Sequence, residues 1–395
     1  MSSANRPWKD RRQLLLIAGI LCIAINLRPA LAGVGPLIDN IKAQTGLTNS
    51  LLGLLTTLPL LAFGVVSTLT PFFTKRYGMG KTLLGAMLLL AVGIGIRSLP
   101  WVGALYVGTA LLGIAIALGN VLLPSITKRN FEQHSGWVTS LYSSTMAIGA
   151  AVAAGVSVPL AKDLGLDWHG ALAVWGILAL VAAAVWWPQA AHLKKADPKR
   201  GFMAALKGLM ANRLAWFVAL FMGLQSFTFY VVLAWLPAIL QHRGFDASYA
   251  GWMLSLSQAV GILGSLLVPT LAAKRADQGF FVAVLIFMEV MAIVGLLMPQ
   301  WGMVALWVSL FGFVLGGTFG LALLFIVLRS RDTETATELS GMAQSVGYFV
   351  AAVGPIAFGA LYDLAKDWSV PLLMLLGVCA LKLAMGLGAS KDRSV

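Results

Sequence analysis

The sequence predicts an all-helical membrane protein with twelve spans in two groups of six, and three observations predict this class. Hydrophobic residues make up 59% of the 395 residues and charged residues only 11%, which is far from the composition of soluble domains. Apolar segments of about 20 residues, long enough to cross a bilayer as a helix, recur along the whole chain. A single long polar stretch, near the middle, separates six such segments from the next six.

The predicted spans follow one another with short connections. Their residues are 13–38, 50–74, 82–99, 101–124, 136–159 and 167–187 in the first group, then 213–241, 248–272, 279–298, 301–328, 337–362 and 368–388 in the second. Span 1 is too long for the core of a signal peptide and is expected to be retained. We therefore predict a first bundle over 1–187, a linker over 188–212 and a second bundle over 213–395. The linker is either an amphipathic helix on the membrane surface or a disordered basic connector.

The distribution of lysine and arginine predicts the orientation. Of the 28 such residues, 22 fall on the side of the N-terminus, 5 on the opposite side, and Arg28 lies within span 1. The positive-inside rule then places both termini in the cytoplasm. The net charge of +13 is spread over short loops, so no nucleic-acid partner is expected.

The two groups of spans repeat short sequence patterns. Span 1 ends in Gly35-Pro36-Leu37-Ile38 and span 7 in Leu236-Pro237-Ala238-Ile239. Span 5 contains Ala147-Ile148-Gly149, and span 11 contains Ser345-Val346-Gly347. Internal repetition of this kind is typical of secondary transporters, whose substrate site lies between the repeats near the middle of the membrane.

Span 1 contains the residue least suited to lipid. Arg28 is a permanent cation in the middle of an apolar run, where a charge costs about 3 kcal/mol on insertion scales. Pro29 removes a helical hydrogen bond directly after it. At helical spacing Arg28 shares a face with Ala24, Ala32 and Gly35, small residues that suit a cavity wall. We interpret Arg28 as the centre of an anion-binding site; the alternative is an arginine satisfied by carbonyl groups or extended to the interface.

The whole chain resembles the major facilitator superfamily. After span 2, Arg76, Gly78 and Lys81 match the superfamily pattern Asp-Arg-x-Gly-Arg-Lys, although Lys75 stands where the pattern has an acid. Four further stretches resemble its cyanate transporter family, which includes cyanate permeases and 2-nitroimidazole exporters: Asn26-Leu27-Arg28-Pro29, Leu55-Thr56-Thr57-Leu58-Pro59-Leu60, Ala117-Leu118-Gly119-Asn120-Val121-Leu122-Leu123-Pro124 and Leu339-Ser340-Gly341-Met342-Ala343-Gln344-Ser345-Val346-Gly347-Tyr348. The resemblance implies a multi-pass protein of the bacterial inner membrane that moves a small anionic or polar solute by alternating access.

The resemblance also implies which spans hold the solute, namely spans 1, 4, 5, 7, 10 and 11. The candidate substrate-binding residues that these spans offer are Arg28, Asn26, Asn120, Tyr142, Ser143, Phe229, Tyr230, Gln344 and Tyr348. Gln344 and Tyr348 lie four residues apart and share a helix face, so together with Arg28 they could surround a small anion. The competing interpretation is ordinary packing for the aromatic residues and interhelical hydrogen bonding for the amides.

One further ionisable residue, Glu289, lies near the middle of span 9. Its bulky apolar neighbours favour a protonated or locally paired structural residue, with Lys382 in span 12 as a conceivable partner; proton coupling is the second interpretation. No cofactor or metal is expected, because the four histidines lack metal-ligand spacing. The expected partners are the solute and the bilayer, and we expect a monomer. A solute-gated channel or a sensor derived from a transporter is the alternative function; a membrane enzyme would need a cluster of acids or histidines, which the loops lack.

Overall fold

The computed structural model describes residues 11–131, 135–191, 209–331 and 333–395, and it shows twelve helices long and apolar enough to cross a membrane. The predicted fold class is therefore confirmed. Most of the linker lies outside the described residues, as do His134 and His192. The twelve spans, numbered in chain order, are Arg11–Thr45, Asn49–Tyr77, Met79–Arg97, Val102–Asn130, Ser135–Lys162, Asp167–Ala190, Arg213–His242, Ala247–Ala272, Gly279–Leu297, Val304–Leu328, Thr333–Ala365 and Ser369–Ala389.

Span 1 is longer than predicted and is broken in the middle. It consists of helices Arg11–Ala24, Pro29–Ala32 and Ile38–Thr45, with a 3-10 turn at Gly35–Leu37. Pro29 has no N–H, so it cannot donate to the carbonyl of Ile25 four residues earlier. That carbonyl faces span 5 at Gly149, where a Cβ would lie 2.5 Å from its oxygen. The break thus brings the backbone on either side of Arg28 against span 5.

The two halves, which are spans 1–6 and spans 7–12, meet most closely at the end of the molecule opposite both described chain ends. Thr57 of span 2 donates a hydrogen bond of 2.8 Å to the carbonyl of Ala352 in span 11. A Cβ at Gly53 would lie 2.6 Å from the Pro355 carbonyl oxygen, and Gly359 lies equally directly against the backbone of span 2. Similar glycine contacts join span 1 to span 7 and span 5 to span 8. The halves therefore approach each other through backbone atoms.

A carboxylate strengthens the contact between the halves at this end, which is called the closed end below. Asp363, near the end of span 11, accepts hydrogen bonds from the backbone N–H of Asn49 at 3.1 Å and of Ser50 at 2.7 Å. It also accepts one from the side-chain amide of Asn49 at 2.8 Å. These donors belong to the first turn of span 2, where the N–H groups lack partners within the helix and the helix dipole favours an anion. A negative charge of one half thus caps a helix of the other half.

Three cations that were counted on one side or the other of the membrane are buried in the protein. Arg97 and Arg329 are each 1% exposed and Lys382 is fully buried. Arg97 donates to the carbonyl of Ala30 in span 1 at 2.6 Å. Arg329 donates to the carbonyl oxygens of Ala389 and Ser390 at the end of span 12, 2.8 and 2.6 Å away. Without these three residues, the side of the N-terminus still carries far more lysine and arginine than the opposite side.

Candidate functional site

A cavity of about 370 Å³ lies between the two halves, on the side that carries both described chain ends. Spans 1, 4 and 5 of the first half and spans 7, 8, 10 and 11 of the second contribute its walls. The volume is at the lower end of the range for small-molecule pockets. The cavity is therefore large enough for a small solute.

Arg28 reaches this cavity from the break in span 1. Its guanidinium carbon lies 5.0 Å from the centre of the Phe229 ring, a cation–π distance. Within the described part of the chain the guanidinium makes no hydrogen bond and has no carboxylate partner. The face of the Phe229 ring supports one side of the cation, and the guanidinium N–H groups remain available to bind a solute in the cavity.

Hydroxyl and amide groups surround the Arg28 end of the cavity. Tyr230 and Tyr348 both lie close enough to Arg28 for its charge to act on their hydroxyl groups. Gln344 lines the cavity, and its side-chain amide donates to the hydroxyl of Ser340 at 3.1 Å along span 11. Tyr348 also packs edge-on against Phe63 of span 2, with ring centres 5.2 Å apart. The arrangement offers several hydrogen-bond donors around one fixed positive charge.

The cavity brings together most of the predicted site residues and leaves two of them out. Those that line it are Arg28, Asn120, Tyr142, Ser143, Phe229, Tyr230, Gln344 and Tyr348. Asn26 is 3% exposed and its amide donates to the carbonyls of Cys22 at 2.7 Å and Leu178 at 3.3 Å. It therefore ties spans 1 and 6 together behind the cavity.

Glu289 also lies away from the cavity, inside the second half. Both of its carboxylate oxygens accept from the ammonium group of Lys382, at 2.6 and 2.9 Å, and both residues are fully buried. The same ammonium donates to the hydroxyl of Thr228 in span 7 at 2.9 Å. The contact with Lys382 that the sequence suggested is present, and it joins spans 7, 9 and 12.

Six further polar residues, which were not predicted from the sequence, line the same cavity: Ser144, Gln225, Ser226, Ser257, Gln258 and Ser265. The glutamines lie in the middle of spans 7 and 8, where a polar side chain is costly unless it meets a partner or water. That cost is the feature by which the two glutamines could have been recognised in the sequence. Within the described ranges, no group of three or more histidine, cysteine or acidic side chains is placed to hold a metal ion.

Comparisons with known proteins agree with this geometry. Residues 14–355 match the family model described as Major Facilitator Superfamily. The chain is 41% identical over 397 residues to the 2-nitroimidazole transporter of Escherichia coli, covering 100% of both chains. It is 28% identical to the cyanate transport protein CynX of the same species, over 92% of this chain and 95% of that one.

Among solved structures, the chain is similar to a bacterial homologue of the human lysosomal transporter Spinster in an inward-facing and occupied conformation. The TM-score is 0.79 at 15% identity, with 99% of this chain and 100% of that chain covered. This likeness shows the fold. The protein is therefore a multi-pass membrane protein of a transporter family, which is not a class of enzymes. The chain belongs to the major facilitator superfamily, with relatives among its cyanate and 2-nitroimidazole transporters.

Proposed function

We propose that this protein carries a small solute with an anionic or nitro group across the bacterial inner membrane by alternating access, with Arg28 as the residue that binds that group. The observation that carries the proposal is the guanidinium that reaches the cavity with no hydrogen-bond or carboxylate partner among the described residues. Charge-assisted hydrogen bonds from a planar guanidinium fit the two oxygens of a nitro or carboxylate group. The two relatives are transporters of 2-nitroimidazole and of cyanate, which are both small polar solutes.

The two halves and their contacts support the alternating-access part of the proposal. They touch at one end, through spans 2 and 11, and enclose a cavity towards the other end. With both termini in the cytoplasm, as the charge bias predicts, the cavity faces inward and the Asp363 contact closes the outer side. Reporter fusions truncated after successive spans test this orientation: reporters active only outside the cytoplasm should work after odd-numbered spans and fail after even-numbered ones.

Binding to the Arg28→Ala variant is the direct test. Purified wild-type protein and variants are titrated with 2-nitroimidazole and with cyanate, and affinity is measured by isothermal calorimetry. We expect Arg28→Ala to abolish measurable binding, and Arg28→Lys to restore little of it, because an ammonium group lacks the planar fork. Arg213→Ala is the matched control, because Arg213 is exposed at the start of span 7 and does not line the cavity. Unchanged affinity in Arg28→Ala would refute the role of this residue.

Transport by exchange separates a carrier from a channel. In proteoliposomes loaded with unlabelled solute, an alternating-access carrier accumulates labelled solute transiently against its gradient. A channel only dissipates the gradient. Failure to observe counterflow, with binding intact, would favour the channel.

A further inference from the structure

Gln258 is one of the polar residues of the second half that line the cavity. It lies near the middle of span 8 and lines the same cavity as Arg28. It is 8% exposed, so its side chain is more than nine-tenths buried. Among the described residues its amide has no hydrogen-bond partner. The residue is thus largely enclosed by the protein, while its amide lines the cavity and remains available to hydrogen-bond a solute there.

The packing of span 8 fixes the direction in which Gln258 points. Gly312 of span 10 lies directly against the backbone of Ser257, and Gly316 lies directly against the backbone of Gly261. On another side of the helix, Gly251 lies against the Ala154 carbonyl of span 5, with a Cβ position 2.9 Å from its oxygen. Helices this close cannot rotate about their axes without collision. Gln258 is consequently held towards the cavity by the helix that bears it.

The amide of Gln225, the other unpredicted glutamine of the cavity, already makes hydrogen bonds within the protein. The side-chain amide of Gln225 donates to the hydroxyl of Ser226 at 2.7 Å and to the carbonyl of Met222 at 3.1 Å, all within span 7. Its donors therefore hold span 7 in shape and are unavailable to a solute. Gln258, by contrast, keeps both its donor and its acceptor available.

Resting on the proposed function, we infer that Gln258 is a specificity-determining residue, and that the preferred solutes have two polar ends. The anionic or nitro group of such a solute binds Arg28 in the first half. A hydrogen-bonding group on the far side of a small planar ring, either a ring N–H or a hydroxyl, binds Gln258 in the second half. An amide both donates and accepts, so it accommodates either kind of group. A site built to hydrogen-bond a substrate group discriminates against the analogue that lacks it.

Arg28 and Gln258 together let one solute contact both halves of the protein. Arg28 belongs to span 1, and Gln258 to span 8, so the two contacts lie on opposite bundles. A solute with one polar end satisfies Arg28 and leaves Gln258 unpaired. A solute with two polar ends bridges the bundles.

Two pairs of probes test this inference, each pair differing mainly in the far-side group: 4-hydroxybenzoate against benzoate, and 4-nitrophenol against nitrobenzene. Dissociation constants are measured by calorimetry on the purified full chain. For wild type we expect the two-ended member to bind about 10-fold tighter. In Gln258→Met, which keeps the length of the side chain without its amide, the ratio should fall to about 1 because only the two-ended probe weakens. Gln241→Met is the matched control: Gln241 lies in span 7 outside the cavity, and the ratio should persist there.

A ratio that persists in Gln258→Met, or equal weakening of both members of a pair, would overturn the inference while leaving the proposed function in place. If Gln258→Met fails to yield folded protein, Gln258→Asn provides the same test with a shorter amide, and there too the ratio must fall. The proposed function fails separately, if Arg28→Ala binds both members of each pair as wild type does. No binding of either pair to wild type would overturn both.

Discussion

The carboxylate of Asp363 is expected to hold the two halves together at the closed end, and replacing it should open that end. Its three hydrogen bonds, at 2.7 to 3.1 Å, all cross from span 11 to the first turn of span 2. A hydrogen bond to a charged group contributes about 1.5–3 kcal/mol when well shielded. Asp363 is half-exposed and its three bonds share one charge, so we expect about 2 kcal/mol in total for the set. Loss of that amount shifts the equilibrium about 30-fold towards the open state.

The assay measures the distance across the closed end. Cys22 and Cys379 are first replaced, and spin labels are attached to cysteines introduced at the exposed positions Ala43 and Phe245, one on each half. In Asp363→Ala, pulsed electron paramagnetic resonance should show a second, longer distance. A closed-to-open ratio of about 100 to 1 would fall to about 3 to 1.

Asp367→Ala is the matched control for this experiment. Asp367 lies at the same end of the molecule and accepts a hydrogen bond of 3.1 Å from the backbone of Ser369, within its own half. Its removal changes the local charge by the same amount without touching span 2. An unchanged distance distribution in Asp363→Ala, or the same change in Asp367→Ala, would refute the reasoning.

Three further predictions concern buried contacts. Glu289→Gln should lower the free energy of unfolding by about 3 kcal/mol, because it leaves Lys382 buried without its counter-ion. The Glu289→Met/Lys382→Met double variant should recover most of the lost free energy, and a double variant less stable than the single one would contradict this prediction. Arg97→Met should lower the thermal midpoint of unfolding and weaken solute binding at the break in span 1, since about 2 kcal/mol of hydrogen bonding to that segment is lost. A thiol-reactive melting assay measures the midpoint and calorimetry measures the binding, and wild-type values for both would show that Arg97 does not support the break. Gly316→Val should lower the melting temperature by several degrees through collision with the backbone of span 8, whereas Gly377→Ala, which has open space at its Cβ position, should not.

The spans were predictable because hydropathy and length decide membrane insertion locally. All twelve predicted spans overlap the observed helices, and the ends differ by a few residues in most of them. Span 4 continues past its predicted end at residue 124 to Asn130, and span 1 continues furthest, from residue 38 to Thr45. Its last helix is rich in polar residues and ends at Gly46, whose φ of +69° suits glycine, so hydropathy alone did not include it.

The candidate site was predictable where one residue contradicted its surroundings. Arg28 is such a residue, because a cation in lipid has to find water or a partner. Gln258 was missed although it gives a weaker form of the same signal, because an amide in a span is also explained by interhelical hydrogen bonding. Asn26 shows the reverse error: it lies two residues from Arg28, but the helix turns it towards span 6. Side-chain direction at a broken helix depends on tertiary packing, which one sequence does not reveal.

The contact between Asp363 and span 2 had no local signal at all. Its partners are more than 300 residues away, and two of its three donors are backbone groups, which carry no sequence identity. The burial of Arg97 and Arg329 is similar, since both donate to backbone carbonyls of distant segments.

The glycine contacts between spans 2 and 11 determine how the halves can separate. Gly53 and Gly359 place main-chain atoms of one half against main-chain atoms of the other, so at these two positions the halves can part and rejoin without a change of rotamer. The rings of Phe63 and Tyr348, which pack against each other across the same pair of spans, have to separate in the same motion.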